Sequence, residues 1–160
     1  MLGSRRLKIF GGLCAATMLL AGCNKQPNNL RTPCEVEKVH LIWKQATNEW
    51  KVKLNNGPEE NPASARTKLD KNSGPTMFVV DIQGNTPATF KDPGGLTVWE
   101  GSKSGPQGSA QILNPNVTRD GKRLFFIDLN EGIPVTLYYG FNFNNGLQSV
   151  DPIIDNGGSD

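Results

Sequence analysis

Residues 135–143 read VTLYYGFNF, and their apolar side chains fall on every second position. Val135, Leu137, Tyr139, Phe141 and Phe143 share one side of an extended chain, while Thr136, Tyr138, Gly140 and Asn142 share the other. A β-strand turns successive side chains to opposite faces, so this pattern fits a strand with one face in a core and one facing out. A helix would scatter the same residues around its axis. The segment EWKVKLN at 49–55 repeats the pattern, with Trp50, Val52 and Leu54 alternating with Lys51, Lys53 and Asn55. Further strands are expected over 36–44, 77–83, 96–100, 110–113 and 124–129, with a short last one at 150–154.

The stretches between these segments are NNGPEENPAS, KNSGP, KDPGG, SKSGPQGS, NPN, RDGK, NEG and FNNG. Glycine supplies positive φ and proline fixes φ, so such clusters punctuate strands. Asp120-Gly121 is placed as a two-residue hairpin turn between 117–119 and 122–124. Only residues 62–69 tolerate a helix, and they fit a loop equally well. About seven short strands with frequent turns predict an all-β fold, a single antiparallel immunoglobulin-like β-sandwich. No internal repeat and no second domain is visible in the sequence.

The first quarter of the chain has a different character. Arg5, Arg6 and Lys8 precede an apolar run of 13 residues, 9–21. A bilayer span needs about 20 residues. A cationic start, a short apolar stretch and small residues at its end make a secretory signal. The run closes on Leu20, Ala21, Gly22 and Cys23. This LAGC sequence resembles the lipobox of bacterial lipoproteins at all four positions. The resemblance implies that the Cys23 thiol receives a diacylglycerol and becomes the first mature residue, acylated as a membrane anchor. An ordinary secretory peptide with an incidental cysteine is the plainer alternative. The chain thus divides into a lipoprotein signal peptide at 1–22, a lipidated tether at 23–35 and a β-sandwich domain at 36–160. The tether contains NKQPNNLRTP, which is polar and has no apolar period. The family resemblance also places the protein in the bacterial cell envelope. Asn24 at the position after Cys23 is not the aspartate that retains many lipoproteins at the inner membrane, so the outer membrane is favoured.

Removing 1–22 takes away Arg5, Arg6 and Lys8 and no acidic residue, so 17 basic and 15 acidic residues become 14 and 15, a net charge of −1. The basic balance belongs to the signal, and no electrostatic case for nucleic acid remains. Cys14 leaves with the signal and Cys23 is acylated, so Cys34 has no partner for an internal disulfide. It is either an idle thiol or a site for pairing with another chain.

The segments TRDGKRLFFIDLN, VTLYYGFNF and VDPIIDNGG carry a second resemblance. They are similar to the end of small bacterial sandwich proteins of the family labelled DP-EP. The matching positions are Asp128, Asn130, Asp151 and Pro152. The second acidic-proline pair of that family is missing, because the chain has IIDNGG there. The resemblance implies a sandwich fold and no particular activity.

Catalytic and metal chemistry find little to build on. The one histidine, His40, lies in EKVHLIWK on the face opposite Val39, Leu41 and Trp43. It reads as a half-exposed strand histidine, and without it neither a Ser-His-Asp nor a Cys-His arrangement can form. Four Cys or His ligands for structural zinc are not available. DPGG and NNG read as turns and not as phosphate cradles. Oxygen ligands gather at Asp128, Asn130 and Glu131 and again at Asp155, Asn156 and Asp160, but neither group has a spaced calcium loop. No catalytic residue, metal site or cofactor is assigned.

Aromatic placement gives the remaining signal. Trp43 and Trp50 are in phase with the apolar faces of their strands and are expected in the core. Trp99 is out of phase with Leu96 and Val98, and Tyr138 with Leu137, so both are expected to face out. An outward aromatic ring offers a stacking platform for a sugar ring or a peptide side chain. The competing reading has another strand or a loop cover each ring. The expected role is a non-catalytic binding or structural module, with a protein or carbohydrate ligand at Trp99 and Tyr138. An envelope enzyme or enzyme inhibitor is the alternative, its site borne on the loops 56–74 or 101–108.

Overall fold

The computed structural model describes residues 35–158 apart from 72, 132–133, 145 and 148–149. The signal segment, Cys23, the tether with Cys34, and Asp160 lie outside the described residues. Among the described residues ten strands follow one another, more than the seven or so expected: β1 Glu35–Lys44, β2 Glu49–Leu54, β3 Glu59–Glu60, β4 Arg66–Asp70 and β5 Thr76–Gln83, then β6 Leu96–Glu100, β7 Ile112–Val117, β8 Arg123–Asp128, β9 Val135–Phe141 and β10 Ile153–Gly158. No helix occurs among the described residues. The fold is all-β.

Two sheets form, one ordered β3-β2-β1-β5-β8-β7 and the other β4-β10-β9-β6. The sheets are mixed and not purely antiparallel, which corrects the sequence expectation. β1 pairs parallel to β5 and β4 parallel to β10, while the remaining pairs are antiparallel. The physical reason lies in the connections. Leaving β1, the chain reverses through β2 and β3, crosses to the other sheet as β4, and returns as β5 in the direction of β1. Alternation along a strand fixes which face is buried, but it carries no information about the neighbour's direction.

The inward phase of the strands other than β3 and β7 supplies most of the core. Val39, Leu41, Val52, Phe78, Val80, Leu124, Phe126, Leu137, Tyr139 and Phe141 are buried. Two aromatic groups span the gap between the sheets. Phe126 of β8 stacks on Phe78 of β5 with centroids 4.9 Å apart, and Tyr139 of β9 lies 5.2 Å from Phe126. Toward the other end, Trp50 stacks on Phe143 at 4.8 Å, and Phe90 packs on Phe143 at 5.6 Å. Trp43 is only half-buried and meets the edge of Trp50 at 5.1 Å, so it caps the core and does not lie within it.

Two further expectations are corrected. Residues 62–69, read as loop or helix, contain most of β4, where Thr67 and Leu69 point inward. The β7–β8 hairpin is present, but its turn is longer than two residues. Gly121 N donates to Thr118 O (2.7 Å) and Thr118 N donates to Arg123 O (2.8 Å). Asp120 Oδ1 accepts from Thr118 Oγ1 and from Lys122 N, which closes the turn over Arg119 and Asp120 and leaves Gly121 in the left-handed region at φ 68°.

Candidate functional site

The β6–β9 pairing sets Trp99 directly opposite Tyr138. Val98 on β6 and Leu137 and Tyr139 on β9 are buried, so the alternate positions face out from the second sheet. The two aromatic residues singled out by phase are therefore cross-strand neighbours on one outer face. Each is half-buried and neither is covered completely.

Gly140 explains how Trp99 lies. Thr97 pairs with Gly140 one step along β9. A Cβ built on Gly140 would stand 3.1 Å from Cη2 and 3.2 Å from Cζ3 of Trp99. The far end of the indole thus reaches across the sheet and rests on the glycine, a place that any side chain would contest. The outward phase of VTLYYGFNF held this signal, a gap of one side chain between Tyr138 and Asn142.

Two charged residues edge the rings: Lys103, which the sequence pattern does not single out, and Asp151, which it singles out only through the DP-EP resemblance. Lys103, on the loop after β6, holds its Nζ 5.9 Å from the Tyr138 ring centroid and 3.0 Å from Asp151 Oδ2. Asp151 Oδ1 in turn lies 3.5 Å from the Cβ position of Gly140. The loop itself is tied back to β6, since Gly108 N donates to Val98 O (2.8 Å) and Gln107 bridges to Trp99. On the far side of Tyr138, Ile153 is its partner in β10. Beyond it Thr136 Oγ1 donates to Asp155 Oδ1 (3.0 Å), and Arg66 forms an ion pair with Asp155 at 2.8 Å. The face thus offers two aromatic rings, the indole seated on a buried Gly140, and an ammonium–carboxylate pair at the rim. Such a surface can stack on an apolar ring while exchanging hydrogen bonds with its polar edge.

No family model matches the chain, and no curated protein matches it.

The remaining candidate residues are held by structural contacts. His40 is on the outer face of the first sheet, its Nδ1 2.5 Å from Asp81 Oδ1, with the Gln83 amide bridging ring and carboxylate at 2.8 and 2.9 Å. Asp128 ends β8 and is wholly buried. Its Oδ1 accepts from Asn130 N (3.0 Å) and Asn156 Nδ2 (2.8 Å), and its Oδ2 from the Tyr139 hydroxyl (3.1 Å). Burial pushes the Asp128 carboxyl above its ordinary range, against the pull of these three donors. The same burial, reinforced by the Asp128 charge, holds the Tyr139 hydroxyl well above its usual value. Asn130 Nδ2 donates to Asp70 O (2.7 Å) and Ser73 Oγ (2.8 Å), and Pro152 O accepts from Tyr139 N (3.1 Å). The residues behind the DP-EP resemblance thus divide between an inner turn, Asp128 with Asn130, and the rim of the aromatic face, Asp151.

Among the described residues no group of three or more His, Cys, Asp or Glu side chains converges as metal ligands. An open cleft of about 420 Å³ lies beside β6, lined by Thr97, Gln107, Ser109, Ile112 and Pro115 among others, with no titratable side chain in its lining. Of the loops considered for a site, 56–74 contains β3 and β4, and 101–108 folds back on Trp99.

Proposed function

We propose that the chain is a lipid-anchored protein of the bacterial cell envelope whose sandwich binds a protein or carbohydrate ligand without catalysing a reaction. Cys23 receives the lipid, and the outer membrane is the favoured site. The ligand sits on the outer face of β6 and β9. One juxtaposition supports this reading: Trp99 and Tyr138 are paired across the strands, with the indole resting on Gly140 and still half-exposed. Aromatic anchors dominate binding energies where they enter an interface.

The test separates fold from binding. Trp50 is buried in the core, and cutting a core aromatic to alanine costs about 3–5 kcal/mol. Trp99→Ala is expected to cost about 1–2 kcal/mol, in proportion to its smaller buried area. The same change is expected to weaken retention on isolated cell-wall glycan or to abolish co-purification of an envelope protein. Denaturant midpoints that fall as far for Trp99→Ala as for Trp50→Ala, or retention unchanged by Trp99→Ala, would refute the platform. For the anchor, Cys23→Ser is expected to end incorporation of labelled palmitate, and undiminished labelling of that variant would refute it.

A further inference from the structure

The outer face of the first sheet carries an apolar row. Val36 pairs with Met77, Met77 with Ile127, and Ile127 with Leu113, so four apolar side chains cross β1, β5, β8 and β7 in one line. All four stand in the outward phase, opposite to Val39, Phe78, Phe126 and the rest of the core. The two ends of the row, Val36 at 55% and Leu113 at 39%, are the large hydrophobic residues most exposed among those described. The next row adds half-buried Val79 and Phe125, with Lys38 beside Val79. One row further the face turns polar, with Lys53, His40, Asp81 and Arg123 side by side. An apolar strip backed by Lys38, Lys53 and Arg123, with the one carboxylate of that row, Asp81, engaged by His40, suits the boundary between acyl chains and anionic headgroups.

The position of the row says what covers it. It lies at the end of the sheet where β1 begins, and Val36 is the second residue of that strand. The sequence places Cys23 only 12 residues before Glu35. A fully extended chain gains at most about 3.3–3.6 Å per residue, so an acylated Cys23 keeps this end of the sheet within about 40 Å of the bilayer. Tethering at that range makes even a weak surface contact intramolecular. We propose that the outer face of the first sheet seats on the lipid surface through the row Val36–Met77–Ile127–Leu113, with Lys38 and Arg123 directed to the headgroups. The inference rests on the anchor at Cys23. The outer faces of a two-sheet sandwich look in opposite directions, so this seating turns Trp99 and Tyr138 away from the membrane, toward a ligand in the adjacent compartment.

The full-length acylated protein, carrying Cys34→Ser, is labelled with a polarity-sensitive fluorophore at Leu113→Cys or, on the outer face of β4, at Lys68→Cys. Both positions are exposed, so neither change disturbs the core. The protein is reconstituted in vesicles of phosphatidylethanolamine and phosphatidylglycerol containing a nitroxide lipid. Emission at 113 is expected to shift to the blue, with quenching several-fold greater than at 68. Adding Val36→Asp is expected to return position 113 toward the behaviour of position 68. Equal quenching at the two positions in protein that floats with the vesicles overturns the seating and leaves the anchor standing. Protein that does not float overturns the anchor and the seating together. A blue shift at 113 that grows with the protein-to-lipid ratio, without preferential quenching, marks contact between copies and overturns the seating as well.

Discussion

Asp128 occupies an inward position of β8, in phase with Leu124 and Phe126, where an apolar side chain would ordinarily stand. A buried carboxylate is expensive unless its lone pairs are filled, and here three donors converge on it from Asn130, Asn156 and Tyr139. Desolvation still outweighs them, so the folded-state pKa is raised. Between the unfolded carboxyl value, about 3.9, and that raised value, the folded protein holds a proton that the unfolded chain has released. Stability from this group therefore falls as pH rises through the window and levels off above it, by up to about 1.4 kcal/mol per pH unit. Asp128→Asn keeps an acceptor for Asn130 N and Asn156 and offers an amide hydrogen to the Tyr139 oxygen, but it cannot titrate. The stability difference, wild type minus variant, is expected to decline from pH 4 upward in urea titrations. A difference that grows with pH would mean that the native state favours the charged form. The sequence did contain the signal for this site, an aspartate on the apolar phase, but phase alone names no partners.

At the scale of the element, the β7–β8 hairpin shows how a turn docks. Gly121 has φ 68°, and its carbonyl accepts from Phe90 N at 2.8 Å. A Cβ at Gly121 would stand 2.7 Å from Cβ of Thr89, so neither the backbone nor the space admits a side chain. Gly121→Ala is expected to destabilise the fold by about 2–4 kcal/mol, combining left-handed strain with overpacking. Thermal or denaturant midpoints measure it, and a change under about 0.5 kcal/mol, typical of a solvated turn, would show that the tip is not docked. The elements themselves were legible to different degrees. β6 falls on residues 96–100 as read, and β1, β5 and β8 shift by a residue or so, because their alternation is long and bounded by glycine and proline. β4 does not show in the sequence pattern because only Thr67 and Leu69 alternate there, directly after a turn in which Ser64 N and Ala65 N both donate to Asn61 O. β3, with two residues, has no period at all. Phase did separate Trp50 from Trp99, while Gly140, Lys103 and Asp151 reach the aromatic face from three segments whose meeting depends on topology.

Across the whole molecule, the two aromatic groups between the sheets share no residue. Phe78, Phe126 and Tyr139 form one, and Trp43, Trp50, Phe90, Phe141 and Phe143 form the other. One strand runs through both, since β9 contributes Tyr139 to the first group and Phe141 to the second, and β1 joins β2 and its Trp50 to β5 and its Phe78. Losing either group should therefore release the other, as one cooperative unit. Phe126→Ala removes a fully buried ring at a cost of about 3–5 kcal/mol, whereas Phe125→Ala, one residue away on the outer face, should cost much less. The informative comparison follows Phe126→Ala with two probes. Far-ultraviolet circular dichroism reports the strands, and tryptophan fluorescence reports chiefly the group around Trp43 and Trp50, where no atom has been removed. Both midpoints are expected to fall together and by the same amount. If the fluorescence midpoint holds at its wild-type value while the dichroism midpoint falls, the two ends of the sandwich unfold independently, and neither β9 nor the pairings of β1 couple them.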